Sequence, residues 1–105
     1  MFEGEGGDWI TLTIDFSWGE EKAAINEWNH GVSFEEAREV FDDPREVEFF
    51  DPAHSTPEEP RWVRIGLSGR RLLFVVFTHR EDRIRIIHAR KASKSMERIY
   101  VEEND

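Results

Sequence analysis

Between Arg61 and Arg90 three strand-like runs follow one another with only Ser68-Gly69 and Arg80-Glu81-Asp82 between them. Parallel neighbours need a crossover of about a dozen residues or more, so runs this close pair only as an antiparallel meander. Val63, Ile65 and Leu67 form one face of the first run. The second, RLLFVVFT at 71–78, is almost continuously apolar, which suits a central strand covered on both faces. The third is RIRIIHAR at 83–90. A short strand at Val47 and Phe49 precedes them, and Pro52, Pro57 and Pro60 mark 51–60 as a mobile loop outside the ladder.

Ahead of this sheet, Ile10, Leu12, Ile14 and Phe16 alternate with other residues and predict a first strand over 9–16. Ser17 with Glu20 reads as a capping box, and Gly31 as the position after a helix end, giving a first helix over 18–30. Ser33 with Glu36 reads as a second box, with Val32 stapled to Ala37, opening a helix that buries Phe34, Ala37, Val40 and Phe41 and stops at Asp43-Pro44. A last helix over 93–103 carries Met96, Ile99 and Tyr100. The expected fold is α+β, a small antiparallel sheet with helices packed on one face. Residues 1–105 suffice for a single domain, with 1–8 flexible.

No apolar run approaches the roughly 18 residues of a membrane span, and MFEGEGGDW lacks the features of an export signal, so the cytoplasm is the expected compartment. Zero cysteines exclude disulfides, thiolate catalysis and Cys-based zinc sites. His30, His54, His79 and His88 form no His-x-x-x-His or His-Glu-x-x-His arrangement, so no metal and no cofactor is expected. A net charge of -9 argues against a polyanionic partner until its distribution is read. Residues 1–60 hold three basic side chains against 17 acidic ones, while 61–100 hold 11 against three, so the two stretches carry -14 and +8. Such asymmetry points to a phosphate-bearing partner; the alternative is a solvated sheet whose arginines pair with acidic helices.

From Phe16 to Pro44, FSWGEEKAAINEWNHGVSFEEAREVFDDP is similar to the pattern of the BrnT family of small bacterial toxins. Asp51, Arg61, Ile65-Gly66, Thr78, RIRII at 83–87, Ala89-Arg90-Lys91-Ala92 and Glu97-Arg98 with Tyr100 continue it. The resemblance implies a RelE-like fold, toxic RNA cleavage, and a BrnA-like antitoxin whose ribbon-helix-helix module would make any contact with DNA indirect. Three positions depart from the pattern: Asn29 stands where Lys is usual, His88 where Ser is, and Gly19 where Asp is. They allow a second reading, an interaction protein that binds its antitoxin without cutting RNA.

Metal-independent RNA cleavage needs a base for the 2′-hydroxyl, cations for the phosphate and an acid for the leaving oxygen. Arginine suits the phosphate through its planar, permanently charged fork. The expected catalytic set is His30, Arg61, Arg85 and Arg90, with Lys22, Arg83, His88, Lys91 and Tyr100 binding RNA. His30 could equally be a helix C-cap complementing the dipole. In a regular strand Arg83 and Arg85 share one face and Arg90 takes the other, so gathering them requires a bulge or the strand end.

Overall fold

The computed structural model describes residues 14–105. The expectations for residues 1–8, and for the first strand over 9–13, lie outside them. The elements are β1 (Phe16–Ser17), α1 (Glu20–His30), α2 (Phe34–Arg38) with a 3₁₀ turn at Glu39–Asp42, β2 (Val47–Phe50), a 3₁₀ turn at Pro52–His54, β3 (Trp62–Leu67), β4 (Leu72–Arg80), β5 (Arg83–Lys91) and α3 (Lys94–Glu103). This is an α+β fold on a five-stranded sheet of order β1-β5-β4-β3-β2.

The apolar run forms the central strand, β4, and both its faces are used. Leu73, Val75 and Phe77 join Val32, Phe34, Ala37, Val40 and Phe41 in the larger core, beneath α1 and α2. On the other face Phe74 and Val76 meet Val63, Ile65, Met96 and Tyr100. α3 therefore crosses to the second face, where the expectation had all helices on one. It does so because Val63 and Ile65 would otherwise face water. The sheet expected to be antiparallel also has one parallel edge, Phe16 beside Ile84 and Ser17 beside Arg85. The long chain between these strands supplies the crossover that parallel pairing needs.

Local chemistry sets the ends of the helices. Ser33 accepts a hydrogen bond from the Glu36 N–H at 3.0 Å, as its capping position predicts. The Glu36 carboxylate does not complete the box; it accepts from Arg71 at 2.8 Å and from the Ser68 hydroxyl at 2.8 Å. Gly31 takes the left-handed conformation (φ 68°) and donates to the Glu27 carbonyl, closing α1 just after His30. The box expected at Ser17 does not form, because Ser17 is drawn into β1, and α1 starts after Gly19 without a side-chain cap. Gly66 admits the 3₁₀ turn against β3: a Cβ there would lie 2.8 Å from the Val40 side chain.

Residues 51–60, expected to be a mobile loop, fold back on themselves and onto β4. Asp51 N–H donates to the Arg61 carbonyl, Arg61 N–H to the Ser55 hydroxyl, and the Thr78 hydroxyl to the Pro60 carbonyl at 2.6 Å. These bonds hold Arg61 beside the open part of the second sheet face. No helix among the described residues is long and apolar enough to cross a membrane.

Candidate functional site

Strand β5 carries the site, and its pairing with β4 is irregular. Val76 lies opposite His88, but Phe77 lies opposite Ile86, so Ile87 is an extra residue. Past a bulge of this kind the alternation of faces is reset. Arg85 sits opposite Thr78, His88 opposite Val76 and Arg90 opposite Phe74, and those three β4 residues share one face. Arg83, opposite Arg80, has the same parity. The bulge thus gathers the cations that a regular strand would have divided.

Three hollows meet at Ile87. One of about 420 Å³ is bounded by Arg61, Phe74, His88 and Arg90, with Asp51 and His54 at its rim. A second, about 280 Å³, lies against α1 between Lys22, Asn26, Asn29, His30 and His88. A third, about 190 Å³, is bounded by Gly19, Lys22, Glu59, Arg61, Arg80 and Arg85. Shared walls at His88, Arg61 and Lys22 make them one groove. Of the residues predicted from sequence, His30, Arg61, Arg85, Arg90, Lys22 and His88 line it.

Lys91 and Tyr100 stand apart from these hollows. Lys91 pairs with Leu73, on the helix-covered face. The Tyr100 hydroxyl donates to Asp43 at 2.7 Å, tying α3 to the end of the 3₁₀ turn. Burial and this bond push the Tyr100 pKa up to about 12. Burial works against the Asp43 carboxylate, but the Leu67 and Arg45 N–H groups and Tyr100 outweigh it and hold its pKa below the usual value. The pair locks structure.

Within the groove the side chains differ in their freedom. The Arg90 guanidinium lies over the Phe74 ring, 4.7 Å from its centroid, a cation–π contact that fixes its plane. Arg61 donates twice to Glu59, from Nε at 3.2 Å and Nη2 at 2.9 Å. The imidazoles of His30 and His88 meet edge to face, 4.8 Å between centroids. Burial, with His30 and Arg90 nearby, lowers the His88 pKa, so that ring is neutral at neutral pH. Two other basic residues of the second half are structural. Arg64 pairs with Glu46 at 2.6 Å and Glu48 at 2.6 Å and covers the Phe41 ring, while Arg71 is bonded to Glu36.

Sequence reading missed Asn26, which is buried in α1 and hydrogen-bonded to the β5 backbone. A signal existed, since Asn is a poor interior helix residue and its place there asks for a reason. Glu59 and Arg80 were missed because nothing local marks an exposed ion pair. Among the described residues, no group of three or more His, Asp or Glu side chains could hold a metal ion.

A family profile described as "Ribonuclease toxin, BrnT, of type II toxin-antitoxin system" matches residues 18–95. No curated protein matches the chain.

Proposed function

The chain belongs to the BrnT family of ribonuclease toxins of type II toxin-antitoxin systems, and from that premise we propose that its groove cleaves single-stranded RNA without a metal ion. The five-stranded sheet is compatible with a RelE-like ribonuclease fold. The carrying observation is the Ile87 bulge, which sets Arg85, His88 and Arg90 on one face beside His30 and Arg61.

In this reading the neutral His88 imidazole takes the proton of the 2′-hydroxyl. The freed oxygen attacks the adjacent phosphorus, and the bond to the 5′ oxygen breaks. Arg90 holds the non-bridging oxygens, where charge builds. His30, in edge contact with His88, returns a proton to the departing oxygen. The products are a 2′,3′-cyclic phosphate and a free 5′-hydroxyl. Of the other predicted residues, Lys22, Arg83 and Arg85 on the groove side serve binding, while Lys91 and Tyr100, apart from the hollows, take no part in it.

The partner in this proposal is a BrnA-like antitoxin with a ribbon-helix-helix module, acting with the toxin in the cytoplasm and reaching DNA on behalf of both. Ile25, on the wall shared with His30, is 53% exposed, and Trp28, one turn further along α1, is 89% exposed. Tryptophan is enriched at binding hot spots, and an apolar segment laid over α1 would close the groove by occlusion. The same exposure supports the second reading, antitoxin binding without cleavage. Incubating the purified chain with RNA and a chelator separates them. Cyclic-phosphate ends that persist with chelator and fade as salt rises support the nuclease; intact RNA throughout sinks it and leaves the interaction protein.

A further inference from the structure

The third hollow has a composition that RNA cleavage at Arg90 and His88 does not explain. Four cations, Lys22, Arg61, Arg80 and Arg85, face one carboxylate, Glu59, in a chain whose net charge is -9. Glu59 uses both oxygens: Oε1 accepts from Arg61 at 2.9 Å and Oε2 accepts from Arg80 Nη2 at 3.0 Å. This is the arrangement that two guanidinium groups make around a phosphate, whose oxygens match the same fork geometry. The pair is not buried: the side chains of Glu59, Arg61 and Arg80 are 30%, 33% and 47% exposed, so solvent reaches it and such pairs hold weakly. Among the described residues, Lys22 and Arg85 have no carboxylate partner. Arg61 is also a wall of the hollow that holds Arg90, so the two share one path along the sheet.

We infer that the hollow between Lys22, Arg61, Arg80 and Arg85 is a second phosphate subsite for single-stranded RNA, with Glu59 its resident occupant, displaced when a backbone phosphate enters. The inference rests on the nuclease reading and extends it: the groove grips the strand at two phosphates, only one of them scissile. Glu59 then suppresses capture of stray anions, since a lone phosphate must compete with a tethered carboxylate. A polynucleotide already held at Arg90 does so at high local concentration.

The test is binding of a short 2′-O-methyl oligonucleotide, which cannot be cleaved, followed by fluorescence anisotropy across a salt series. Arg80→Ala should weaken binding several-fold and reduce the slope of log affinity against log salt by about one. Arg80→Lys should restore the slope without the full affinity, because it keeps the charge but not the fork. Glu59→Gln should tighten binding several-fold, with thermal unfolding of each variant confirming that it is folded. Unchanged affinity and slope in Arg80→Ala, or weaker binding in Glu59→Gln, would make the Glu59–Arg80 pair a loop clasp and overturn the subsite while the nuclease reading stands. If the unsubstituted chain fails to bind the oligonucleotide at low salt, both fall. Preference for a polyglutamate peptide over the oligonucleotide overturns the subsite in favour of an acidic protein partner.

Discussion

The carboxamide of Asn26 closes on both peptide groups of Ala89, donating to its carbonyl at 2.8 Å and accepting from its N–H at 3.1 Å. It acts as a one-residue strand on the edge of β5, beyond the two residues that β1 covers. The same amide donates to the Val32 carbonyl at 2.9 Å, so the helix turn after His30 and the strand bearing His88 and Arg90 are held by one side chain.

Replacing Asn26 should therefore damage both stability and cleavage. Asn26→Ala leaves buried Ala89 groups unpaired and should cost roughly 2–3 kcal/mol, read from urea unfolding. Asn26→Asp keeps the acceptor but sets a carboxylate against two carbonyls, so it should be no better at neutral pH. A variant that unfolds at the original midpoint and cleaves normally would show that β5 is positioned without this contact.

Arg90 is expected to matter for chemistry and little for folding. Arg90→Ala should lower cleavage by about 10² or more and cost only about 0.5–1 kcal/mol through the lost contact with Phe74. Equal rates in single-turnover cleavage would remove Arg90 from the scissile phosphate.

For His88 the sign follows from its lowered pKa. Burial, first, then His30 and Arg90 disfavour its protonated form in the folded chain, so the unfolded chain binds the proton more readily. Its contribution is complete above the ordinary value of 6.5, is lost as pH falls from there to the folded pKa, and is flat below that. His88→Ser should remove this part of the pH dependence of unfolding and lower cleavage at neutral pH. An identical pH slope with and without His88 would contradict the assignment.

Gly19 offers a substitution with opposite effects. It is the uncapped start of α1, with extended backbone (φ -81°), and a Cβ there would sit 3.6 Å from Arg85 Nη2. Gly19→Asp should cap the helix, adding roughly 0.3 kcal/mol, while its carboxylate pairs with Arg85 and weakens RNA binding. Tighter RNA binding together with higher stability would show that Arg85 does not meet the phosphate backbone.

Trp28 reports on the partner. Trp28→Glu should leave the unfolding free energy within about 0.5 kcal/mol of the original, as exposed substitutions do, yet reduce recovery of the antitoxin on co-expression and size-exclusion chromatography. Undiminished co-elution would place the antitoxin elsewhere than on α1.

Periodicity and turn chemistry made the elements readable. Continuous apolarity marked β4 as central, Ser33 and Gly31 marked helix ends, and short turns dictated the meander. These signals are local, because they arise from backbone geometry within a few residues. The path of β1 and the side taken by α3 were not readable, because both depend on which apolar surface is left uncovered once the sheet has assembled. The same applies to the arginines. Arg61 and Arg90 look alike in the sequence, but Glu59 engages one and Phe74 the other. Arg64 and Arg71 become structural through carboxylates 16 and 35 residues away.

The amino-acid sequence by itself determined that this chain builds an α+β fold with a basic second half and, over residues 18–95, matches the family it belongs to. Tertiary structure alone decided that His30 and Arg90 border adjoining hollows. Ile84, Ile86 and Ala89 all enter the larger core, yet Ile86 and Ala89 are an odd number of residues apart and a regular strand cannot bury both on one face. Packing against α1 and α2, together with the grip of Asn26 on Ala89, settles the conflict by extruding Ile87 as a bulge. That single extra residue turns His88 and Arg90 onto the face of Arg85.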